Sequence, residues 1–143
     1  MKLKKEDVVN VVQTPQTIQS RLAISLREKH TQAVAANLAA AFIWTAEFDG
    51  IMDEVVAQTH GAPAAGESMT FDVLKNGVSI LKSVITLDST DTTLNDFGKI
   101  DPDKATFKAG DIFTVTRVYT AGGGPTPMTD TVVIIRPAPF GLL

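Results

Sequence analysis

Chemistry has few places to start in this chain. Histidines 30 and 60 are the only imidazoles, and neither has a second histidine or a carboxylate at the spacing a metal site needs. Acid pairs stand at Asp53/Glu54, Asp88/Asp91 and Asp101/Asp103, and carboxylate oxygens are calcium ligands. Asp101-Pro102-Asp103-Lys104 lacks the alternating ligand run of an EF-hand loop, however, so a solvated turn is expected there. Gly66-Glu67-Ser68-Met69 does not form the Gly-x-Ser-x-Gly elbow of a serine nucleophile. Gly122-Gly123-Gly124 is followed by no Lys-Ser/Thr pair and no helix start, so it reads as a loop tip and not a phosphate cradle. Phe42, Trp44, Phe48 and Tyr119 could form a sugar-stacking platform, but scattered aromatics in a small sandwich are more often core, and that is the role expected of them. The residues therefore predict no enzyme, no metal and no cofactor. A hydrolase built from Asp/Glu pairs brought together in space would leave little trace in sequence, and stays as the residual catalytic reading.

The elements that must position these residues read as short strands. Asn76-Gly77, between Met69–Lys75 and Val78–Leu81, is the favoured centre of a two-residue hairpin, because both positions of a type I′ turn need positive φ. Met69, Phe71 and Val73 share one face of the first of these strands. Further strands are predicted at 41–45, 51–59, 84–87, 112–119 and 131–135, bounded by Asp49-Gly50, the Pro/Gly loop 60–66 and Ala109-Gly110-Asp111. The apolar run Thr131-Val132-Val133-Ile134-Ile135 predicts a strand buried on both faces. Residues 88–106 read as a long polar connection, and the prolines at 137 and 139 are expected to keep the C-terminal tail out of regular sheet. Leu22-Ala23-Ile24-Ser25-Leu26-Arg27 alternates like a strand, with a helix over 18–40 as the rival reading. Seven or eight such strands predict an all-β, jelly-roll-like antiparallel β-sandwich with an extended N-terminal arm.

Its expected organisation is an arm at 1–31, a sandwich domain at 32–136 and an apolar tail at 137–143. The chain of 143 residues suits one domain and contains no cysteine, which fits folding in a reducing cytoplasm. Its longest apolar stretch, 38–44, is too short to span a bilayer, and the polar residues at 6, 7, 10 and 13 interrupt any signal-peptide core. Neither membrane nor nucleic acid is an expected partner. The first 31 residues hold six lysines and arginines against three acids, although the whole chain carries a net charge of −3. Charge asymmetry of this kind can steer an arm to nucleic acid or to an acidic protein surface, of which the second is the expected partner, and a solubilised, mobile terminus is the alternative role. Val8, Val9, Val11, Val12, Ile18, Leu22, Phe140, Leu142 and Leu143 lie in or beside the arm and tail and are the interface candidates.

Four segments together carry a family resemblance. They are the aromatic strand and turn Phe42–Ile51, the Ala62–Gly66 loop, the hairpin Met69-Thr70-Phe71-Asp72-Val73-Leu74-Lys75-Asn76-Gly77, and the strand Phe107–Val115 led by Ala109-Gly110-Asp111. Their order resembles a β-sandwich family of tailed-bacteriophage virion proteins, over about residues 40–136. The resemblance implies a non-enzymatic capsid decoration (cement) protein, commonly trimeric. Such a protein is made in the host cytoplasm and sits on the virion, bound to the outer surface of the major capsid protein shell. The same family includes head fibres and tail or baseplate appendages, which would make the outer loops a host-binding surface. A stand-alone carbohydrate-binding module is the alternative from a different class.

Overall fold

The computed structural model describes residues 24–28, 38–59, 65–88, 95–122 and 131–140. In chain order the strands are β1 (Ile24–Glu28), β2 (Leu38–Thr45), β3 (Gly50–Gln58), β4 (Ser68–Lys75) and β5 (Val78–Ser79), followed by β6 (Ile85–Asp88), β7 (Asn95–Phe97), β8 (Thr106–Phe107), β9 (Ile112–Thr120) and β10 (Thr131–Pro139). They form two antiparallel sheets packed as a sandwich. One sheet runs β1-β10-β3, with β7 and β8 sharing the outer edge of β3; the other runs β2-β9-β4, with β5 and β6 sharing the outer edge of β4.

Period-two alternation builds the core between the sheets. Met69, Phe71 and Val73 of β4 point inward beside Phe113 and Val115 of β9 and Ile85 and Leu87 of β6. Met52, Val55 and Ala57 of β3 and Val133 and Ile135 of β10 belong to the same cluster from the facing sheet. Each large apolar side chain buried in this way contributes roughly 1.5–3 kcal/mol relative to exposure. At one end of the sandwich the core is aromatic. Trp44 stacks on Phe113 with ring centroids 5.6 Å apart, and Phe107 meets both rings edge-on at about 5.5 Å. Offset and edge-to-face geometries are those that the ring quadrupoles favour.

The hairpin forms as the Asn-Gly pair dictates. Asn76 has φ +50° and Gly77 φ +83°, and Lys75 pairs with Val78 across them. The second strand is shorter than expected, since β5 holds only Val78 and Ser79 before the chain breaks from the sheet. Three other expectations are corrected. Residues 88–106 are not one polar connection, because β7 and β8 form within it by pairing with β3. The prolines do not end the sheet: β10 continues through Pro137, Ala138 and Pro139, paired to Met52, Ile51 and Gly50. A register shift between Arg136 and Pro137 makes this possible, since a bulge is one of the places where a strand accommodates a missing N–H donor. The run from Thr131 to Ile135 is not buried on both faces either. Thr131, Val133 and Ile135 are buried while Val132 and Ile134, on the outer face, are half-buried.

Beside the bulge, Arg136 forms an ion pair with Glu54 of β3. The β1 strand falls within the segment read as the arm and pairs with β10, Ile24 opposite Ile135 and Glu28 opposite Thr131.

Candidate binding site

Antiparallel pairing gathers three turns at the aromatic end of the sandwich. The β2–β3 turn carries Asp49, the hairpin turn carries Asn76, and the β8–β9 turn carries Lys108 and Asp111. The register that sets Lys75 opposite both Val78 and Phe113 brings the last two together. Asp111 is their shared acceptor: Asn76 Nδ2 donates to its Oδ1 at 2.8 Å and the Lys108 amide to its Oδ2 at 2.9 Å. Asn76 also bridges to the start of β9, its Oδ1 accepting the Ile112 amide at 2.9 Å while its own amide donates to the Ile112 carbonyl at 2.8 Å. The Asp111 carbonyl in turn accepts the Ala46 amide at 2.8 Å. Asp49 closes the ring, its Oδ1 taking the Ala109 amide at 2.9 Å and its carbonyl the Phe140 amide at 3.2 Å.

These turns wall an open cleft of about 410 Å³. Lys75 reaches along it and donates from Nζ to the carbonyls of Thr106 at 2.5 Å and Lys104 at 3.1 Å. Phe107 lies beneath and is buried, whereas Phe140 stands at the rim with 55% of its surface exposed.

The Lys108 amide, and then Asn76, hold the Asp111 carboxyl below the usual carboxylate range, because both donate to its charged form. A depressed folded-state value means that the carboxylate stabilises the fold above about pH 3.9, the unfolded value, and that this contribution is lost as pH falls through the folded value. Asp111→Asn turns one acceptor oxygen into a donor facing a donor. It is expected to cost about 1–2 kcal/mol at neutral pH. Thermal melts of both proteins across pH should show that gap closing below about pH 4; a gap independent of pH would remove Asp111 from the centre of the network.

The opposite end of the sandwich is polar inside. Tyr119 donates from its hydroxyl to Oε1 of the buried Glu67 at 2.9 Å. Burial first, and then the hydrogen bond to Glu67 and its charge, push the Tyr119 phenol above its usual range. Arg117 is buried nearby on the same strand, and desolvation lowers its pKa from the ordinary guanidinium value.

Of the residues singled out in the sequence, Phe140 is the interface candidate that reaches this site. Val8, Val9, Val11, Val12, Ile18, Leu22, Leu142 and Leu143 lie outside the described residues, as do His30, His60 and Asp91. Two of the remaining acids have cationic partners. Glu54 is paired with Arg136, and Asp101 accepts the Asp103 amide and faces Lys104 within its own turn. No group of three or more potential metal ligands occurs among the described residues. Trp44, Phe48 and Tyr119 pack against the core, the role expected of them, the first two at the cleft end and Tyr119 at the far end, so these three make no common stacking platform. In the sequence Asp49, Lys75 and Asp111 are turn and strand residues, and only the strand register joins them. No family model matches the chain, nor does any curated protein or solved structure.

Proposed function

We propose that the chain is a phage virion structural protein, a capsid decoration (cement) protein that binds the outer surface of the major capsid protein shell and stabilises the head without catalysis. The observation that carries this reading is the strand order. One sheet runs β1-β10-β3 and then β7, and the other runs β2-β9-β4 and then β6. First lies beside last and second beside second-to-last, and the connections β1–β2, β2–β3, β3–β4, β6–β7, β8–β9 and β9–β10 each pass from one sheet to the other. This order supports reading the sandwich as a jelly roll, an architecture that recurs in viral capsid and lectin domains. The step from fold to function is an analogy, and the sequence resemblance over residues 40–136 points the same way.

On this reading the jelly-roll body, assembled as a homotrimer, sits on the virion surface, and the N-terminal arm clamps neighbouring subunits through Val8, Val9, Val11, Val12, Ile18 and Leu22. Adding interface that exists only in the assembled shell stabilises that shell by mass action. Deleting residues 1–20 is expected to leave a folded body that no longer co-sediments with phage heads assembled without the chain. Undiminished co-sedimentation would overturn the clamp. A second reading, a head-fibre, tail or baseplate appendage facing the host, is favoured by the open cleft, and labelled protein that binds host cells but not heads would select it.

A further inference from the structure

We propose that the cleft at the turn end of the sandwich binds a neutral pyranose, stacked on Phe140 and hydrogen-bonded by Lys75 and Asp49. This goes beyond the capsid reading and does not depend on it. The volume of about 410 Å³ lies within the range of small-molecule sites. Two other ligand classes are disfavoured by groups already in place. An anion would gain from free backbone amides in the turns, but the amides of Lys108 and Ala109 are taken by the carboxylates of Asp111 and Asp49, whose charges also repel it. A cation would need the carbonyl oxygens that line the cleft, and Lys75 already occupies those of Lys104 and Thr106.

What remains suits an uncharged polyol. Asp49 and Asp111 balance Lys75 and Lys108, so the cleft carries no net charge to select an ion. Each of these groups can serve a hydroxyl. Lys75 uses two of its three ammonium hydrogens, Asp49 has a second carboxylate oxygen, and the exposed Thr106 hydroxyl both donates and accepts. The half-exposed ring of Phe140 supplies the flat apolar surface against which the C–H face of a sugar ring packs. Hydrogen bonds to the turns fix Asp49 and Lys75 before any ligand arrives, which lowers the ordering cost of binding.

The test is an amide chemical-shift titration of the isotope-labelled full chain with glucose, galactose and N-acetylglucosamine, and separately with phosphate and glucuronate. At least one neutral sugar is expected to give saturable shifts centred on Asn76, Thr106, Lys108, Asp111 and Phe140, with none from phosphate. Phe140→Ala is expected to weaken that binding at least about tenfold, equivalent to about 1.4 kcal/mol, with its melting temperature unchanged. Thr106→Val, which keeps the shape and removes the hydroxyl, should weaken it independently. No saturable shift from any of the three sugars, saturation by phosphate or glucuronate instead, or undiminished affinity in both variants would each overturn the proposal. Loss of sugar binding leaves co-sedimentation with heads untouched, so the two readings fail separately.

Discussion

Phe113→Ala is expected to lower the free energy of unfolding by about 3–5 kcal/mol. Phe113 has none of its surface exposed and lies between Trp44, stacked on one side, and Phe107, edge-on at 5.5 Å. Truncation therefore forfeits the transfer energy of a whole ring and leaves a cavity. Three strands cannot easily close that cavity, because β9 is paired on both sides, to β2 and to β4. Domains of this size have about 5–15 kcal/mol of stability in total, so the variant should unfold at a much lower urea concentration. Far-UV circular dichroism is the suitable probe, since the fluorescence of Trp44, the only tryptophan, will change when its stacking partner is lost. Phe113→Leu should recover much of the loss. A cost below about 1 kcal/mol for the alanine variant would mean that this end of the core is not close-packed.

Gly50→Ala should have the second-largest effect, about 3 kcal/mol or more. A Cβ built at Gly50 would lie 2.3 Å from the Ala138 carbonyl oxygen and 2.8 Å from the ring of Phe107. The nearest obstacle is backbone. It can retreat only by breaking the register that pairs Pro139 with Gly50, just past the bulge that brings the proline-containing end of β10 into the sheet. Gly77→Ala separates this clash from ordinary backbone strain. Gly77 has φ +83° but nothing within 4 Å of a built Cβ, so only about 1–2 kcal/mol is expected there. Comparable melting temperatures for the two variants would show that the β3–β10 contact yields easily.

The fold was legible in sequence wherever local residues decide their own conformation. Asn76-Gly77 demanded a hairpin and made one, and Met69, Phe71 and Val73 alternate because a strand with one buried face must. The strands that were missed owe their existence to a partner. Asn95–Phe97 and Thr106–Phe107 have no distinctive pattern and pair because β3 presents an open edge to them. Pro137 and Pro139 misled for the opposite reason: the rule against proline in sheets is sound for a regular ladder, and the bulge that suspends it leaves no local signature. The cleft was hidden similarly. Ala109-Gly110-Asp111 and Asn76-Gly77 were both visible as turns, yet only the register Lys75 opposite Phe113 reveals that they hold each other.

That mutual hold also bears on how the protein ages. Asn-Gly is the dipeptide most prone to spontaneous deamidation, in which the glycine amide nitrogen attacks the asparagine side-chain carbon, ammonia leaves, and the resulting ring hydrolyses to aspartate or isoaspartate. Here the Asn76 amide is gripped at both ends, by Asp111 at its nitrogen and by the Ile112 amide at its oxygen. Reaction must wait for the hairpin to open locally. Once it occurs the turn is weakened, because the new carboxylate faces Asp111 and repels it, so that the hairpin opens more easily in the damaged chain than in the fresh one. The cleft therefore has a built-in shelf life, set by how often the turns at this end come apart.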